Sequence, residues 1–339
     1  MKGQTIILDH LAGREAAARM VDGQLDDFFL GSDAVVPGAI YRAKADRPVK
    51  GQGGMFLTGP DGKFFLRQVK GLAPGDALLV QVTGFPEEGK ATPVTTKLLF
   101  KSRYAIITPE APGRNVSRSI RDEDRRDALL GLADGVLGDS PYGLILRSSC
   151  ADARDEDIAE DIDAMQSLAE RVLEDDGRDP ALLADGDTPH LLAWREWTDP
   201  AEIVTKPGGF ADHGVLDALD QLQGGAVPLT SGAFLYVEPT RALVAVDVNT
   251  GKDTSPAAGL KANIDAARAL PRILRVRGLG GQITLDLAPM AKKDRKTFEQ
   301  VLRTALRTDS EETVMAGWTP LGHFELQRKR GRVPLSEVL

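Results

Sequence analysis

Two aspartates stand near the ends of apolar segments that read as buried strands. Asp247 lies in VAVDVNTG and Asp286 lies in ITLDLAP, 39 positions later. Strands that are distant in sequence can be neighbours in a sheet, so the two carboxylates can lie side by side. Carboxylate oxygens at converging strand ends suit Mg²⁺, which takes one or two carboxylates and keeps waters for a substrate phosphate. The alternative is structural: Asp247 begins an Asx turn and Asp286 caps the next element.

An amide and many basic side chains accompany the two aspartates. Asn249 follows Asp247 by two positions, so in an extended strand it projects to the same side and can orient a water or a phosphate oxygen. A tight turn at Asn249-Thr250-Gly251 explains the same residues, and both can hold. Cations near such a site favour phosphoryl-transfer chemistry, because they neutralise the substrate backbone and the transition state, whereas solvation of the surface is the alternative for most of them. These cations are Lys252, Arg268, Arg275, Arg277, Lys292, Lys293, Arg295, Lys296, Arg328, Lys329, Arg330 and Arg332.

Charge is distributed unevenly along the 339 residues. The formal net charge is −8, but residues 241–339 carry 17 basic and 11 acidic side chains. The segment 151–200 carries 16 acidic and only 4 basic side chains, which makes it a poor binder of phosphate. A polyanion should therefore bind to the last hundred residues.

Cysteine and histidine usage excludes other classes of protein. One cysteine cannot form an intrachain disulfide, and with four scattered histidines it supplies no spacing typical of structural zinc. The N-terminus lacks the pattern of a secretory signal, and no run approaches the roughly 20 apolar residues of a spanning helix. We therefore expect a cytoplasmic protein in a reducing compartment.

Short alternating runs between residues 37 and 100 predict a small β-barrel. Five strands recur at roughly ten-residue spacing, which an OB-type barrel fits, and Pro60-Asp61-Gly62 is a hairpin signal. Strands are also expected at 5–8 and 27–30, with a helix over 14–21 between them.

Helical periodicity dominates after Pro112. The pattern predicts helices over 119–133 and 155–174 and a linker or exposed loop over 175–189. A β–β–α–β–α pattern begins at Gly232, and Pro271 implies a kink or a break in its first helix. The chain is therefore expected to be an α+β protein with several subdomains.

Several motifs together resemble the ribonuclease E/G family. The C-terminal ones are VAVDVNTGK, the segment from KANIDAARAL to ITLDLAPM, and LGHFELQRKR; the N-terminal ones are PGRNVSRSIRDEDRR, GLILRSS and MKGQTIIL. The likeness is strong over 241–330 and looser over 40–100 and 151–230. It covers nearly the whole chain as a short form of the family's catalytic core.

The resemblance implies a role for individual residues. Asp247 and Asp286 would bind the catalytic Mg²⁺ with Asn249 as their partner, and Lys252 would contact RNA. Arg147 and Ser148 would form a pocket for a 5′-monophosphate, where a guanidinium and a hydroxyl suit a terminal phosphate. The remaining RNA contacts would come from Arg118, Arg328 and Phe56, with Phe64 or Phe65 as a second stacking aromatic. Packing in the barrel core is the alternative for these phenylalanines.

The resemblance also implies an arrangement of subdomains. Residues 1–34 with 190–231 would form a ribonuclease H-like subdomain and 35–100 an OB-fold RNA-binding barrel. A 5′-end sensor-like region of helices and strands would follow over 101–189, and a mixed α/β Mg²⁺-dependent catalytic subdomain over 232–339.

The implied activity is endonucleolytic cleavage of single-stranded RNA, in rRNA processing or mRNA decay. Water activated by Mg²⁺ would leave 5′-phosphate and 3′-hydroxyl ends. The alternative is a non-catalytic RNA-binding or ribosome-processing factor that retains the nuclease fold. Two departures are visible: Ala288 replaces the family's second strand Asp, and the zinc-binding Cys-Pro-x-Cys segment is missing, so any homo-oligomer would form without a zinc link.

Overall fold

The computed structural model describes residues 3–49, 53–67 and 71–337 and has a mixed α+β fold. The strands are β1 (Gln4–Leu11), β2 (Arg14–Val21), β3 (Gln24–Leu30), β4 (Ile40–Val49), β5 (Gly54–Gly59), β6 (Gly62–Leu66), β7 (Ala77–Val82), β8 (Thr92–Thr95), β9 (Phe100–Lys101), β10 (Ala105–Thr108), β11 (Arg114–Val116), β12 (Gly143–Leu146), β13 (Ala181–Ala184), β14 (Glu202–Val204), β15 (Ala226–Pro228), β16 (Phe234–Pro239), β17 (Val244–Asn249), β18 (Gly281–Asp286), β19 (Thr313–Trp318) and β20 (Phe324–Arg328). The helices are α1 (Glu123–Leu137), α2 (Asp155–Leu173), α3 (Pro189–Glu196), α4 (Gly209–Asp212), α5 (Val215–Gln223), α6 (Ala258–Val276) and α7 (Arg295–Arg307).

The contacts divide the chain into two units. One lies within Met1–Ser32 and Ala201–Leu339, and the other within Asp33–Pro200. The four functional subdomains expected from the sequence stay a prediction, and their outermost positions, 1–2 and 338–339, lie outside the described residues. Within the described ranges, no helix has both the length and the apolar character that a membrane crossing requires.

A closed barrel of five strands forms part of the second unit, as the sequence predicted. The strands pair in the order β4-β5-β6-β8-β7, and β7 pairs back with β4. Alternate side chains of each strand point inward. The core contains Tyr41, Met55, Leu57, Phe64, Leu66, Val80, Val82 and Val94. The hairpin predicted at Pro60-Asp61-Gly62 joins β5 to β6.

A four-stranded sheet completes the second unit. Its order is β11-β12-β10-β9, and α1 and α2 pack against it. The apolar face of α2 contributes Ile158, Ile162 and Val172 to this core. Helices were predicted here, and only their ends differ.

The helix expected over 14–21 is wrong, because these residues form β2. This strand lies between β1 and β3, and Ala16, Ala17 and Ala18 are completely buried there. Two-residue turns at Ala12-Gly13 and Asp22-Gly23, with positive φ at all four residues, connect the three strands. Such turns are the ones that β-hairpins favour, and cross-strand pairing outweighs the helical propensity of alanine.

The segment 175–189 is not the free linker that its composition indicated. Its residues 181–184 form β13, which pairs antiparallel with β4. Asp175 forms an ion pair with Arg42 of β4. The polar residues of this segment therefore fix it to the barrel.

Pro271 does not divide its helix. α6 runs as one element from Ala258 to Val276 with Pro271 inside it. A proline in a helix interior costs about 3 kcal/mol, but most of the side chains around it, including Leu270, Ile273 and Leu274, are buried. Burial of this apolar face against β3, β17 and α7 offsets the lost hydrogen bond.

A six-stranded sheet in the first unit carries the predicted catalytic residues. Its order is β15-β16-β17-β18-β20-β19, and only β17 and β18 run parallel within it. Leu235, Val246, Ile283, Leu285 and Leu326 alternate onto the buried face. The residues between them lie on the opposite face, where the side chains are half-buried or exposed. We call this the open face.

Candidate active site

Asp247 and Asp286 lie opposite each other in the register of β17 and β18. The α6 crossover between these strands returns the chain parallel to β17, as connections of this type require. Buried Val246, Val248 and Leu285 flank the two aspartates, so alternation directs both carboxylates to the open face. The juxtaposition expected from the sequence is therefore observed, while the role of the pair as metal ligands stays a prediction.

The two carboxylates repel each other. The pKa of Asp247 is raised above its ordinary value, first by partial burial and then by the negative charges of Asp286 and Glu238. Glu238 lies on β16 opposite Ala245. Because Ala245 precedes Asp247 by two positions in β17, Glu238 and Asp247 lie on the same face. A cation at the pair would relieve this repulsion.

Asn249 projects from the same face, two residues after Asp247. Its side-chain oxygen accepts a hydrogen bond of 2.8 Å from the Gly251 N–H, so the tight turn proposed as an alternative is present. Lys252 follows in that turn and is exposed. The turn therefore presents an amide and a cation beside the acidic pair.

His323 joins this group, and sequence spacing gave no signal of it. Its Nε2 lies 3.7 Å from Asp286 Oδ1. It precedes β20, whose Phe324 pairs with Leu285 of β18, so only the sheet register brings the two side chains together. The Thr319 hydroxyl accepts a 3.1 Å hydrogen bond from the His323 N–H and fixes the hairpin that presents the imidazole.

Arg328 does not occupy a surface from which it could contact RNA, which corrects its prediction. Its side chain is 1% exposed and forms an ion pair of 2.5 Å with the carboxylate of Asp309, whose side chain is fully buried. Thr313 Oγ1 accepts a second hydrogen bond, at 2.8 Å. Arg275 binds the same Asp309 carboxylate. The basic cluster near the C-terminus is therefore partly internal, because these charges are neutralised inside the fold.

Arg147 and Ser148, predicted to bind a 5′-phosphate, are neighbours at the end of β12. Ser148 is exposed, but the Arg147 guanidinium donates hydrogen bonds to the carbonyls of Ser102 (2.6 Å) and Arg195 (3.0 Å) and to Glu196 Oε2 (2.7 Å). Arg118 is exposed on the segment between β11 and α1. Arg147 and Ser148 are thus adjacent, as the prediction requires, but the Arg147 guanidinium is already bound to the Glu196 carboxylate.

Three cations surround that carboxylate. Lys101 Nζ and Arg195 Nε each lie 2.7 Å from Glu196 Oε1, and Arg147 binds the other oxygen. Burial alone would raise the pKa of Glu196, but these cations outweigh it and lower the pKa to about 2. Glu196 therefore stays ionised and is bound to Arg147, the side chain that is predicted to bind a 5′-phosphate.

We expect Glu196→Gln to increase the preference for 5′-monophosphorylated RNA. Loss of the carboxylate frees Arg147 to make one charge-assisted hydrogen bond to phosphate, worth about 1.5 kcal/mol or roughly tenfold in affinity. Fluorescence anisotropy with 5′-phosphate and 5′-hydroxyl forms of one oligonucleotide measures the ratio. Asp187→Asn is the matched control, since it removes an acidic partner of Arg195 and leaves the Arg147–Glu196 contact in place. An unchanged ratio in Glu196→Gln would argue against a phosphate pocket at Arg147.

Aromatic residues of the barrel lie on two sides of β5 and β6. Phe64 is completely buried in the core, where it contacts Tyr41, so it is not available for stacking on a base. Phe56 and Phe65 lie opposite each other in the register on the outer surface, with ring centres 5.4 Å apart. Phe64 and Phe65 were the candidates for a second stacking aromatic, and only Phe65 shares a face with Phe56.

Charged side chains lie around the Phe56 ring. It lines an open cavity of about 400 Å³ together with Arg47, Lys63, Lys90 and one acid, Asp46, which forms an ion pair with Lys63. The Arg47 guanidinium lies 5.6 Å from the ring centre. Aromatic rings beside positive charge are the features with which proteins bind single-stranded nucleic acid.

We expect Phe56→Leu to weaken the binding of single-stranded RNA roughly tenfold. Stacking of one base on an aromatic ring is worth about 1–3 kcal/mol, and leucine keeps the apolar character without the flat surface. Filter binding at fixed salt concentration measures the effect. Leu182→Thr serves as a control because it changes an exposed apolar residue that does not line the cavity. Equal losses in the two variants would exclude a stacking role.

Comparison with known proteins places these features in a family. The profile of the ribonuclease E/G family matches residues 100–206 and 198–331. The chain is 29% identical to ribonuclease G of Salmonella typhimurium over 321 residues, which cover 82% of this chain and 64% of that protein. It is 29% identical to ribonuclease E of Nostoc sp. over 300 residues, which cover 76% and 44%, respectively.

A third relative has a similar match. Ribonuclease G of Escherichia coli K12 is 28% identical over 322 residues, which cover 82% of this chain and 64% of that protein. The chain thus spans less than two thirds of the length of these relatives. Since the family profile matches more than half of its residues, the chain belongs to the ribonuclease E/G family.

Proposed function

We propose that this chain is a divalent-metal-dependent endoribonuclease that cleaves single-stranded RNA. The observation that carries the proposal is the register of Asp247 and Asp286, which places two carboxylates side by side on the open face of a sheet. Names of the relatives support RNA as the substrate.

The donor set fits a hard cation of the Mg²⁺ type. Such ions bind proteins through one or two carboxylates and keep several waters. Among the residues that the structure describes, no group of three or more His, Cys, Asp or Glu side chains is placed to hold a metal, so a closed cage is not formed. Asp286 remains 69% exposed, which leaves room for water and substrate.

The reaction that we propose is hydrolysis at phosphorus. A water oxygen forms a bond to phosphorus while the bond to the 3′ oxygen breaks, and the leaving oxygen takes a proton, so that 5′-phosphate and 3′-hydroxyl ends result. A divalent cation, when bound, supplies positive charge at the phosphate and makes water more acidic.

The residues of the chain then have separate tasks. Asp247 and Asp286 would hold the cation, and the Asn249 carboxamide would orient water or a phosphate oxygen. Lys252 would attract the RNA backbone toward the turn that follows β17. These groups stabilise charge as it develops on the phosphate, which is how proteins promote phosphoryl transfer.

We assign the remaining parts by their place in the chain. Residues 35–100 would bind RNA as an OB-fold barrel, 101–189 would contain the 5′-end sensor, 1–34 with 190–231 would form the ribonuclease H-like subdomain, and 232–339 the catalytic subdomain. Processing of rRNA or decay of mRNA would be the cellular role.

A Mg²⁺ titration of cleavage tests the proposal. With single-stranded RNA we expect products that carry 5′-phosphates, no products in EDTA, and no cleavage of DNA of the same sequence or of a small phosphodiester. RNA binding with steep salt dependence and no products at any Mg²⁺ concentration would contradict the proposal. That result would favour the alternative, a non-catalytic RNA-binding or ribosome-processing factor, which the internal neutralisation of Arg147 and Arg328 also suits.

A further inference from the structure

Two aromatic side chains of β16 share the open face with the acidic pair. Phe234 lies opposite Asn249, and Tyr236 lies opposite Asp247. Residues opposite each other in a sheet are neighbours on one face. Leu235 and Val237, which alternate with the two aromatics, are buried in the core. The strand thus directs both rings to the side on which Asp247 and Asn249 lie.

The rings are accessible, although a sheet surface of this kind usually carries polar residues. Phe234 is 37% exposed and Tyr236 is half-buried. In the part of the chain that the structure describes, no other aromatic ring or guanidinium stacks on either of them. More than a third of Phe234 is therefore accessible, and two aromatic rings on one face offer a flat apolar surface beside the acidic pair.

Phe234 also approaches the turn that follows Asn249. A β-carbon at Gly251 would lie 3.5 Å from Phe234 Cε2 and 2.5 Å from the Gly232 carbonyl oxygen. Gly251 has a φ of +64°, so a side chain at this position would also be strained. Glycine is therefore required by the close approach of the turn to Gly232, and the Phe234 ring lies within van der Waals reach of this turn, which carries Asn249 and Lys252.

The two ends of this surface carry opposite charges. Lys252 is exposed at one end, in the turn near the Phe234 ring, whereas Glu238 is exposed at the other end of β16, two positions after Tyr236. A phosphate backbone is attracted to the lysine and repelled by the glutamate. A nucleobase can lie over the rings while its phosphates stay near the turn.

We propose that Phe234 and Tyr236 form a base-stacking subsite for a nucleotide next to the scissile phosphate. The subsite rests on the proposed function, since the acidic pair defines the position of that phosphate. Stacking tolerates every base, because each has a flat π surface. The two rings would hold single-stranded RNA in place over Asp247, and a paired strand, with its bases turned inward, would lose this contact.

A coupling experiment with abasic RNA tests the subsite. A single-stranded oligoribonucleotide is prepared with one base removed, at each position in turn around the cleavage site. Affinities are measured by anisotropy in an Asp247→Asn background, where turnover does not interfere, and kcat/KM is measured with Asp247 intact. The variants are Phe234→Leu, Tyr236→Leu, the double variant and Phe234→Trp.

We expect removal of the stacked base to weaken binding to the protein with both rings about tenfold and to have no effect on the double variant. Phe234→Trp should retain the penalty, because tryptophan keeps a stacking surface. Val314→Thr is the matched control, since Val314 is an apolar residue, 55% exposed, on the edge strand β19 of the same sheet. It should leave the penalty unchanged.

An abasic penalty of equal size in the double variant would overturn the subsite, as would RNA that does not bind at all. The outcomes separate the two proposals. Cleavage without coupling to the rings would refute the subsite and leave the nuclease standing. Coupling in the binding assay without any cleavage would support the subsite and refute the nuclease.

Discussion

Replacing Asp247 by asparagine is expected to lower the rate of RNA cleavage by at least about a thousandfold, since electrostatic stabilisation of the transition state is lost with the cation. Asp286→Asn should have an effect of the same order, because the two carboxylates lie opposite each other in adjacent strands. Binding of RNA should change little in either variant. Initial rates with a labelled single-stranded oligonucleotide and anisotropy with the same RNA make the comparison.

The fold should tolerate the change at Asp247. Burial, Asp286 and Glu238 raise the pKa of this carboxyl in the native state, so its ionisation costs native stability as the pH rises above the ordinary range of aspartate. An uncharged amide removes that cost, and we expect an unchanged or slightly higher melting temperature at pH 7. Asp217→Asn, an exposed change in α5, is the control for the loss of one acid. Full activity in Asp247→Asn would refute the assignment.

Asp27→Asn is expected to destabilise the protein by about 3–5 kcal/mol, because it removes one member of a buried ion pair. The Asp27 side chain is 2% exposed. Arg332 Nη1 lies 2.7 Å from it, Arg275 Nε lies at 3.4 Å, and Arg19 Nη2 at 3.8 Å. The amide cannot balance these guanidinium charges. Chemical denaturation at pH 7 measures the loss.

The ion pairs of Asp27 with these arginines also make the free energy of unfolding depend on pH. Burial alone would raise the pKa of Asp27, but Arg332, Arg275 and Arg19 outweigh it and hold the pKa below the ordinary value of 3.8. A depressed native pKa contributes stability that is present above the unfolded value and is lost as the pH falls through the native one. The gap in unfolding free energy between the natural sequence and Asp27→Asn should therefore narrow below about pH 4. A gap that stays constant down to acid pH would contradict this.

Strand alternation explains why the acidic pair could be predicted from sequence. In VAVDVN and ITLDL, buried and exposed positions alternate, so both aspartates had to leave the core on one side. The barrel was predictable for a similar reason, since its short strands and the Pro60-Asp61-Gly62 turn are local signals. Both features could be predicted because their signals lie within a few neighbouring residues of the sequence.

Long-range contacts account for what the sequence did not reveal. β2 reads as helical until its pairing with β1 and β3 is known, although Asp22-Gly23 is a local hairpin signal. Arg328 looks like a surface cation because nothing near it in sequence identifies Asp309 as its buried partner. His323 reaches Asp286 only across a strand pairing. In each case the partner lies far away along the chain.

Anomalous diffraction from a crystal of the chain soaked in Mn²⁺ tests most directly whether Asp247 and Asp286 share a cation. We expect a single manganese peak in contact with carboxylate oxygens of both residues, and no such peak in crystals of Asp247→Asn. A soaked crystal with no ion at the pair, or with an ion bound to only one of the two carboxylates, would contradict the account.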